Sequence, residues 1–195
     1  MQPTVGAVYD RSHPPRLANG KWGFLNKKGE VVVPLTYEYA DPFSDGLARV
    51  KEGKRYKFID TAGKVVLEVP DFDYPHDYHE GLSAIQDYAA GVDNGCITRY
   101  IDKLGKLSFN VTGYAEDFHE GLAKLTLRPD PKSEFGKDGY IDKSGRVAIA
   151  ATFDEVHDFS EGLAAVRLGS TVKWHDRGDT WGFIDRTGAM RIEAK

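Results

Sequence analysis

Short hydrophobic runs alternate with glycine-containing turns along most of the chain. Five of these runs precede a turn in which an Asp or Asn is followed by a glycine three positions later. The side-chain oxygen of Asp or Asn holds a turn's backbone, and glycine tolerates the positive φ that ends it. We therefore predict five β-hairpins, each with a strand on either side of its turn. The five segments are 22–29, 56–63, 98–105, 138–145 and 181–188.

A second segment lies between successive hairpins and recurs four times. It reads aromatic, Ser or His, acid, Gly, Leu, then Ala or Ser, and it leads into another strand-like run. We call this segment the corner of the repeat. Nine matches in a fixed order indicate a repeat whose closing glycines lie 34 to 43 residues apart. We predict an all-β fold, an open twisted array of about five stacked three-strand hairpin repeats, with a closed propeller-like arrangement as the alternative. The four segments are 43–48, 78–83, 118–123 and 159–164.

This pattern resembles the WG-repeat family, β-rich bacterial repeats named for a Trp-Gly dipeptide followed by Phe-Ile-Asp and a glycine turn. Trp-Gly-Phe at 22–24 and at 181–183 carries the resemblance, together with Phe-Ser-Glu-Gly-Leu-Ala at 159–164. The resemblance covers 17–195 and implies one repeat domain there, with no shared catalytic residues. Residues 1–16 contain three prolines and are predicted to form an irregular N-terminal cap.

Composition narrows the classes of function. The net charge of −4 gives no sign of electrostatic capture of nucleic acid or anionic lipid. The apolar runs are far shorter than the roughly 18 residues that a transmembrane helix needs, and the first ten residues lack a signal-peptide pattern. The single cysteine, Cys96, fits a reducing compartment. We expect a cytoplasmic protein that binds neither nucleic acid nor a membrane.

Candidate catalytic and metal-binding groups are weak. The Asp of each hairpin turn is best explained as a cap of its own turn. The acid before each corner glycine, as at Glu120, is expected to cap its neighbouring glycine turn and to add a row of negative charge. His76 and His79 have an H-x-x-H spacing, but that spacing places two ligands on one face only in a helix, and prolines surround it. Nucleophile-elbow, zinc-protease and phosphate-loop motifs are absent from the sequence. We expect no metal, no cofactor and no catalytic residues.

The aromatic residues divide into two groups. Eighteen of the 23 occupy repeat positions, which are in the hairpins, at the corners, and four or six residues before the corners. This predicts a core between stacked repeats. Three others lie in the links that lead into the last three hairpins, which are 16 to 18 residues long instead of nine. Insertions at one point of successive repeats emerge on one side, which is often the binding face. We predict these links to bind a partner, unless each aromatic covers its own loop. The predicted binding residues are Tyr88, Arg128, Phe135, Trp174, His175 and Arg177.

These features favour a non-catalytic protein-binding repeat module. A specific version is an immunity protein that neutralises a bacterial toxin. The first alternative is a carbohydrate-binding β-repeat protein, which would expose Trp or Tyr platforms at regular intervals. The second is an enzyme with a site in its loops, which would bring titratable groups together in a pocket.

Overall fold

The fold consists of five antiparallel β-sheets that follow one another along the chain. The computed structural model describes residues 20–69, 74–87, 97–128, 136–168 and 180–193. The first sheet has two strands, and each of the other four has four strands in sequential order. These residues contain no helix that is long and apolar enough to span a membrane. The predicted N-terminal cap, 1–16, lies outside them.

The strands have the following bounds. Sheet 1 contains β1 (Trp22–Leu25) and β2 (Val31–Tyr37), and sheet 2 contains β3 (Tyr39–Ala40), β4 (Leu47–Glu52), β5 (Arg55–Asp60) and β6 (Val65–Glu68). Sheet 3 contains β7 (Tyr74–Pro75), β8 (Leu82–Asp87), β9 (Ile97–Asp102) and β10 (Leu107–Thr112). Sheet 4 contains β11 (Tyr114–His119), β12 (Leu122–Leu127), β13 (Lys137–Asp142) and β14 (Val147–Phe153). Sheet 5 contains β15 (Glu155–Val156), β16 (Leu163–Leu168), β17 (Thr180–Asp185) and β18 (Met190–Ile192).

The predicted all-β open array is confirmed, but each complete repeat has four strands instead of three. The additional strand precedes the corner and is only two residues long in sheets 2, 3 and 5. Two residues are too few for an alternation of hydrophobic and polar positions to be visible in the sequence. Sheet 1 corresponds to the last two strands of the other sheets, so it is the hairpin of a repeat.

The hairpin turns are held as predicted, by an Asp or Asn that caps its own turn. In the fourth hairpin, Asp142 Oδ1 accepts hydrogen bonds from the backbone N–H groups of Ser144 (2.8 Å) and Arg146 (3.1 Å). The Ser144 hydroxyl also donates to Asp142, and these bonds hold the pKa of Asp142 below its ordinary value. Gly145 follows with a φ of 79°. The same backbone bonds occur at Asn26, Asp60, Asp102 and Asp185.

The hydrophobic core lies between successive sheets. Four buried clusters join sheet 1 to sheet 2, sheet 2 to 3, sheet 3 to 4 and sheet 4 to 5. In each cluster the corner aromatic of one repeat packs on the hairpin aromatic of the repeat before it. The ring centroids are 4.6 to 5.1 Å apart in the pairs Phe24–Phe43, Phe58–Tyr78, Tyr100–Phe118 and Tyr140–Phe159.

The turn glycines also pack against the preceding repeat. A Cβ added to Gly145 would lie 2.7 Å from Phe109 of sheet 3, and one added to Gly188 would lie 3.3 Å from Ile149 of sheet 4. Phe109 lies outside the aromatic positions recognised in the sequence, yet it occupies the same place in its repeat as Ile149. The turn thus needs glycine for two reasons, its positive φ and this close contact.

The acids at the corners connect one repeat to the next at three of the four corners, which differs from the predicted cap of a neighbouring glycine turn. Their φ angles are 51° to 54°, in the left-handed region that non-glycine residues rarely adopt. Glu80 Oε2 accepts a hydrogen bond from Gly121 N (3.0 Å), and Glu120 Oε2 accepts one from Gly162 N (2.9 Å). Asp45 accepts the equivalent bond from Gly81.

A lysine from the hairpin turn of the next repeat strengthens this corner contact. Lys143 Nζ lies 2.9 Å from the carbonyl oxygen of Glu80 and 3.0 Å from its carboxylate. Partial burial opposes ionisation of Glu80, but the bonds from Lys143 and Gly121 outweigh it and hold the pKa of Glu80 below its ordinary value. Lys103 makes the same contact with Asp45.

We expect Gly145→Ala to destabilise the protein more than Gly29→Ala. Both glycines have a φ near 80°, so both substitutions strain the backbone. Gly29 has open space around it, whereas a Cβ at Gly145 meets Phe109. Overpacking of this kind costs about 1–3 kcal/mol, and urea denaturation of both variants measures the difference. Equal losses would contradict the packing role of the turn glycine.

We expect Glu120→Ala to lower the free energy of unfolding by about 1 kcal/mol, because it removes the bond to Gly162. Glu161→Ala is the matched control. Glu161 has the same positive φ, but its carboxylate makes no hydrogen bond or ion pair within the described ranges. Its replacement should change stability by no more than about 0.5 kcal/mol. Thermal melts of dilute protein compare the two, and an equal loss would show that the corner acid acts on its own repeat.

Candidate functional site

The first strand of each complete repeat lies at the edge of its sheet. The segments from these strands to the corners contact one another across repeat boundaries. Together they form what we call the first-strand surface, which comprises 39–44, 74–79, 114–119 and 155–160. Two features stand out on it, a histidine–carboxylate groove and a tyrosine–arginine cluster.

The groove has a volume of about 260 Å³ and lies where sheets 3, 4 and 5 meet. Its histidines reach carboxylates of the following repeat. His76 Nδ1 lies 3.2 Å from Asp117 Oδ1, and His79 Nε2 lies 3.6 Å from Asp117 Oδ2. His119 Nε2 lies 3.5 Å from Asp158 Oδ2. The residues lining the groove are His76, Tyr114, Glu116, Asp117, His119 and Asp158.

The two histidines of the H-x-x-H spacing take part in a contact between two successive repeats. His76 and His79 both approach Asp117, and the His79 and His119 rings lie 5.2 Å apart. Within the described ranges, no group of three or more His, Cys, Asp or Glu side chains is placed to hold a metal ion. What these groups provide is a set of hydrogen-bond donors and acceptors that is open to solvent.

The tyrosine–arginine cluster lies where sheets 2 and 3 meet, and Arg49 is its centre. Arg49 is only 7% exposed. Its guanidinium lies 2.7 Å from Asp41 Oδ2 and 3.8 Å from Asp77 Oδ1, and it donates to the carbonyl oxygen of Pro75. These partners come from both repeats, so the buried charge joins the two sheets and is compensated there.

Two tyrosine rings lie over the arginine, and one of them faces solvent together with a third tyrosine nearby. The Arg49 guanidinium carbon lies 4.8 Å from the ring centroid of Tyr74 and 5.6 Å from that of Tyr56. Tyr39 and Tyr74 are 39% and 49% exposed. The Tyr39 hydroxyl donates to Asp41 at 2.5 Å, and this bond, with partial burial, raises the pKa of Tyr39 to about 12. The cluster therefore presents amphipathic rings whose orientations are fixed.

The first-strand surface corrects one prediction from the sequence. The repeat pattern assigns the aromatics four and six residues before the corner to the core. Of the aromatics six residues before the corner, Tyr37 and Phe153 are buried, and Phe72 lies outside the described residues. Of those four residues before it, Tyr39 and Tyr74 are exposed and Tyr114 is partly buried. A bend at Glu38 separates Tyr37, at the end of β2 in sheet 1, from Tyr39, in β3 of sheet 2, so a strict strand alternation does not apply across it.

Most of the predicted binding residues cannot be placed on this surface. Arg128 is exposed and follows β12 directly. The other five lie outside the described residues, so the site they would form stays a prediction. They are Tyr88, Phe135, Trp174, His175 and Arg177.

The ends of the three longer links are described, and they occupy equivalent places. The last pairs of the central strands are Asp87–Ile97 in sheet 3, Leu127–Lys137 in sheet 4 and Leu168–Thr180 in sheet 5. In all three sheets this end is also where the first strand begins, as the pairing of Tyr114 with Thr126 shows. Each link therefore starts and ends beside the first-strand surface.

Comparison of the chain with models of known protein families identifies part of its repeat. A family model described as WG containing repeat matches residues 22–56 and 139–171. The match confirms the predicted resemblance to the WG-repeat family in these two regions, which begin at Trp22 and Gly139. No curated protein matches the chain.

The glycines at these two matches are required by the backbone. A Cβ on Gly23 would lie 2.5 Å from the carbonyl oxygen of Val33, and one on Gly139 would lie 2.4 Å from that of Ile149. Both lie at irregularities in the strand pairing. The glycine of the repeat thus allows two strands to approach more closely than any side chain permits.

We expect Asp77→Asn to raise the melting temperature at pH 7. Asp77 Oδ1 is buried without a hydrogen bond, and burial, with the charges of Asp41 and Asp117, holds the pKa of Asp77 above its ordinary value. The ionised carboxylate therefore lowers stability as pH rises above about 3.9, the unfolded value. The gain should be about 1–3 °C at pH 7 and shrink toward pH 4.

The exposed acid Glu38 provides the control, because Glu38→Gln should leave the melting temperature nearly unchanged at both pH values. A loss of stability in Asp77→Asn at pH 7 would show that the attraction of Arg49 outweighs the cost of burial.

Proposed function

We propose that this WG-repeat chain is a non-catalytic protein-binding module whose partner binds along the first-strand surface. The composition of that surface carries the proposal. Exposed Tyr74 lies over an arginine at one repeat junction, with exposed Tyr39 bonded to the same aspartate as that arginine, and a polar groove lies at the next two junctions. Tyrosine and arginine concentrate binding energy at protein interfaces, and repeat arrays bind partners across several adjacent repeats.

The charge of the groove favours a basic partner segment. Glu116, Asp117 and Asp158 line it, and Lys124 forms an ion pair with Glu116 at 2.7 Å. The Asp158 side chain is 51% exposed, so it is the most accessible carboxylate of the three. A cationic segment would meet complementary charge here, which speeds association and fixes the register of the complex.

A carbohydrate-binding role is the first alternative, and the burial of the hairpin rings speaks against it. Sugar-binding platforms would need rings exposed at the same place in successive repeats. Phe58, Tyr100 and Tyr140 are at most 1% exposed, because each is covered by the next corner. At the start of the first strand, Tyr39 and Tyr74 are exposed, Tyr114 of sheet 4 is partly buried, and the position is Glu155 in sheet 5. Among the described hairpins, the rings of Trp181 and Phe183 are exposed only in sheet 5. Exposed rings therefore do not recur at one place through the described part of the array.

An enzyme with a loop-borne site is the second alternative. The hairpin carboxylates hold their own turns, and three of the four corner acids hold the next repeat, so they have structural roles. Among the described residues that line the groove there is no serine, threonine, cysteine or lysine to act as a nucleophile for the His119–Asp158 pair. A binding role needs no such group, which is why we favour it.

The three longer links extend the proposed site. Their ends lie beside the first-strand surface, so a partner on that surface would also meet Arg128 and the predicted anchors of the links. The specific version of the proposal is an immunity protein that acts in the cytoplasm and covers the active surface of a toxin.

We expect Tyr74→Ala and Asp158→Lys to weaken partner binding by about tenfold or more each, a change of about 1.4 kcal/mol. The partner is first isolated by affinity capture from cells of the native host with the wild-type chain as bait. The purified pair is then titrated by calorimetry. Leu104→Ala and Glu30→Lys are the matched controls, because both residues are exposed on hairpin turns away from this surface.

Several results would count against the proposal. Retention of a glycan but no protein would favour the carbohydrate alternative. A protein partner that binds both variants as tightly as the wild type would exclude the first-strand surface, and loss of binding in Trp174→Ala alone would then favour the links. For the immunity version, co-expression of the chain must restore growth to cells that express the partner.

A further inference from the structure

At the C-terminal end of the described array, side chains that contact the next repeat elsewhere in the chain have no repeat to contact. Phe183 of sheet 5 is 39% exposed, although the equivalent Phe58 and Tyr140 are 1% exposed. Ile192 is 54% exposed, although the equivalent Ile149, which the next turn glycine covers, is 7% exposed. Sheet 5 thus presents a surface that elsewhere in the chain is covered by another repeat.

The corner of sheet 5 has an unused acceptor as well. Glu161 has a φ of 54°, the same conformation as the corner acids that accept a hydrogen bond from the next repeat. Within the described ranges its carboxylate contacts no donor and no cation. At the equivalent Glu80, a lysine of a later hairpin turn lies 3.0 Å from the carboxylate.

The N-terminal end of the described array carries the complementary groups. Gly29 has the turn geometry of the other closing glycines, with a φ of 80°, but a Cβ added to it would meet nothing within 4 Å. Lys27 occupies the turn position that Lys103 and Lys143 occupy in later repeats, and it is exposed. Among the residues that the structure describes, sheet 1 therefore has an uncovered glycine turn and an exposed cation. Sheet 5 has the groups that these would contact, an exposed aliphatic side chain and an unpaired acid.

We propose that the chain associates head to tail with a second copy of itself, sheet 1 of one copy stacking on sheet 5 of the other. In this contact Gly29 of one copy covers Ile192 of the other, and Lys27 of the first copy pairs with Glu161 of the second. The internal junctions use the same kinds of contact. Such an interface joins two different surfaces, so it continues from copy to copy unless the assembly closes into a ring. This inference does not depend on the proposed function, because it uses the ends of the array and not the first-strand surface.

The contact between copies is weaker than the internal junctions. Sheet 1 is a hairpin without a preceding corner among the described residues, so it brings no aromatic ring to Phe183 and no glycine N–H to Glu161. Of the four contacts at an internal junction, the turn glycine and the pair of lysine and acid are reproduced. The stacked rings and the hydrogen bond from a glycine N–H to the acid are not. Association should therefore depend on concentration and fall as salt rises, because one of its two contacts is an ion pair.

Sedimentation velocity of the purified chain tests the proposal between about 10 and 500 µM, the range in which weak association is detected. We expect the weight-average sedimentation coefficient to rise with concentration. Ile192→Asp and Lys27→Glu should each lower the association constant by about tenfold or more. The double variant Lys27→Glu with Glu161→Lys restores an ion pair of reversed polarity and should recover association.

Leu104→Asp is the control, because Leu104 is 84% exposed on a hairpin turn away from both ends and should associate like the wild type. Circular dichroism establishes that each variant is folded. A monomer over the whole concentration range would overturn the proposal. Association that survives both end variants would place the contact elsewhere, and association lost in Ile192→Asp but unchanged in Lys27→Glu would indicate tail-to-tail pairing.

Discussion

Each of sheets 1 to 4 depends on the next sheet to cover its apolar side chains. The clearest case is the cluster between sheets 4 and 5, in which Tyr140 and Ile149 pack with Phe159, Val166 and Ile184. All four buried clusters cross a sheet boundary in this way. Stability in such an array is the sum of contacts between neighbours, so each junction must supply the same few interactions. The stacked rings, the turn glycine and the corner acid are those interactions.

This dependence also decides which chemical groups are available for function. The Asp of a hairpin turn and the acid of a corner, such as Asp142 and Glu120, each have one carboxylate oxygen bonded to backbone N–H groups. A carboxylate in that position is neither a ready general base nor a metal ligand. Among the described residues, accessible groups without such a role lie along the first strands and at the two ends of the array. A binding function therefore has to use these places, and both proposals do so.

The sequence predicts the parts of the structure that local chemistry determines. The hairpins follow from Asp or Asn and glycine three residues apart, and the strands after each corner follow from a recurring Leu-Ala. Contacts between repeats are harder to predict, because they join residues far apart in the chain. His76 and Asp117 are 41 positions apart, and nothing local to either one indicates the pair. The recurring spacing of Tyr39 from Phe43 predicts a core position, and only the bend at Glu38 places Tyr39 at the surface.

Comparison of the four complete repeats with one another shows at which positions stacking does not require a particular residue. The corner aromatic and corner glycine are present in every copy, as a contact made at each junction demands. The first position of the first strand instead changes from tyrosine to Glu155 along the chain, and Glu155 pairs there with Arg167 at 3.1 Å. Since stacking does not determine this position, a partner can. The surface is rich in tyrosine at sheets 2 and 3 and charged at sheets 4 and 5, so a partner lying along it would bind in one direction only.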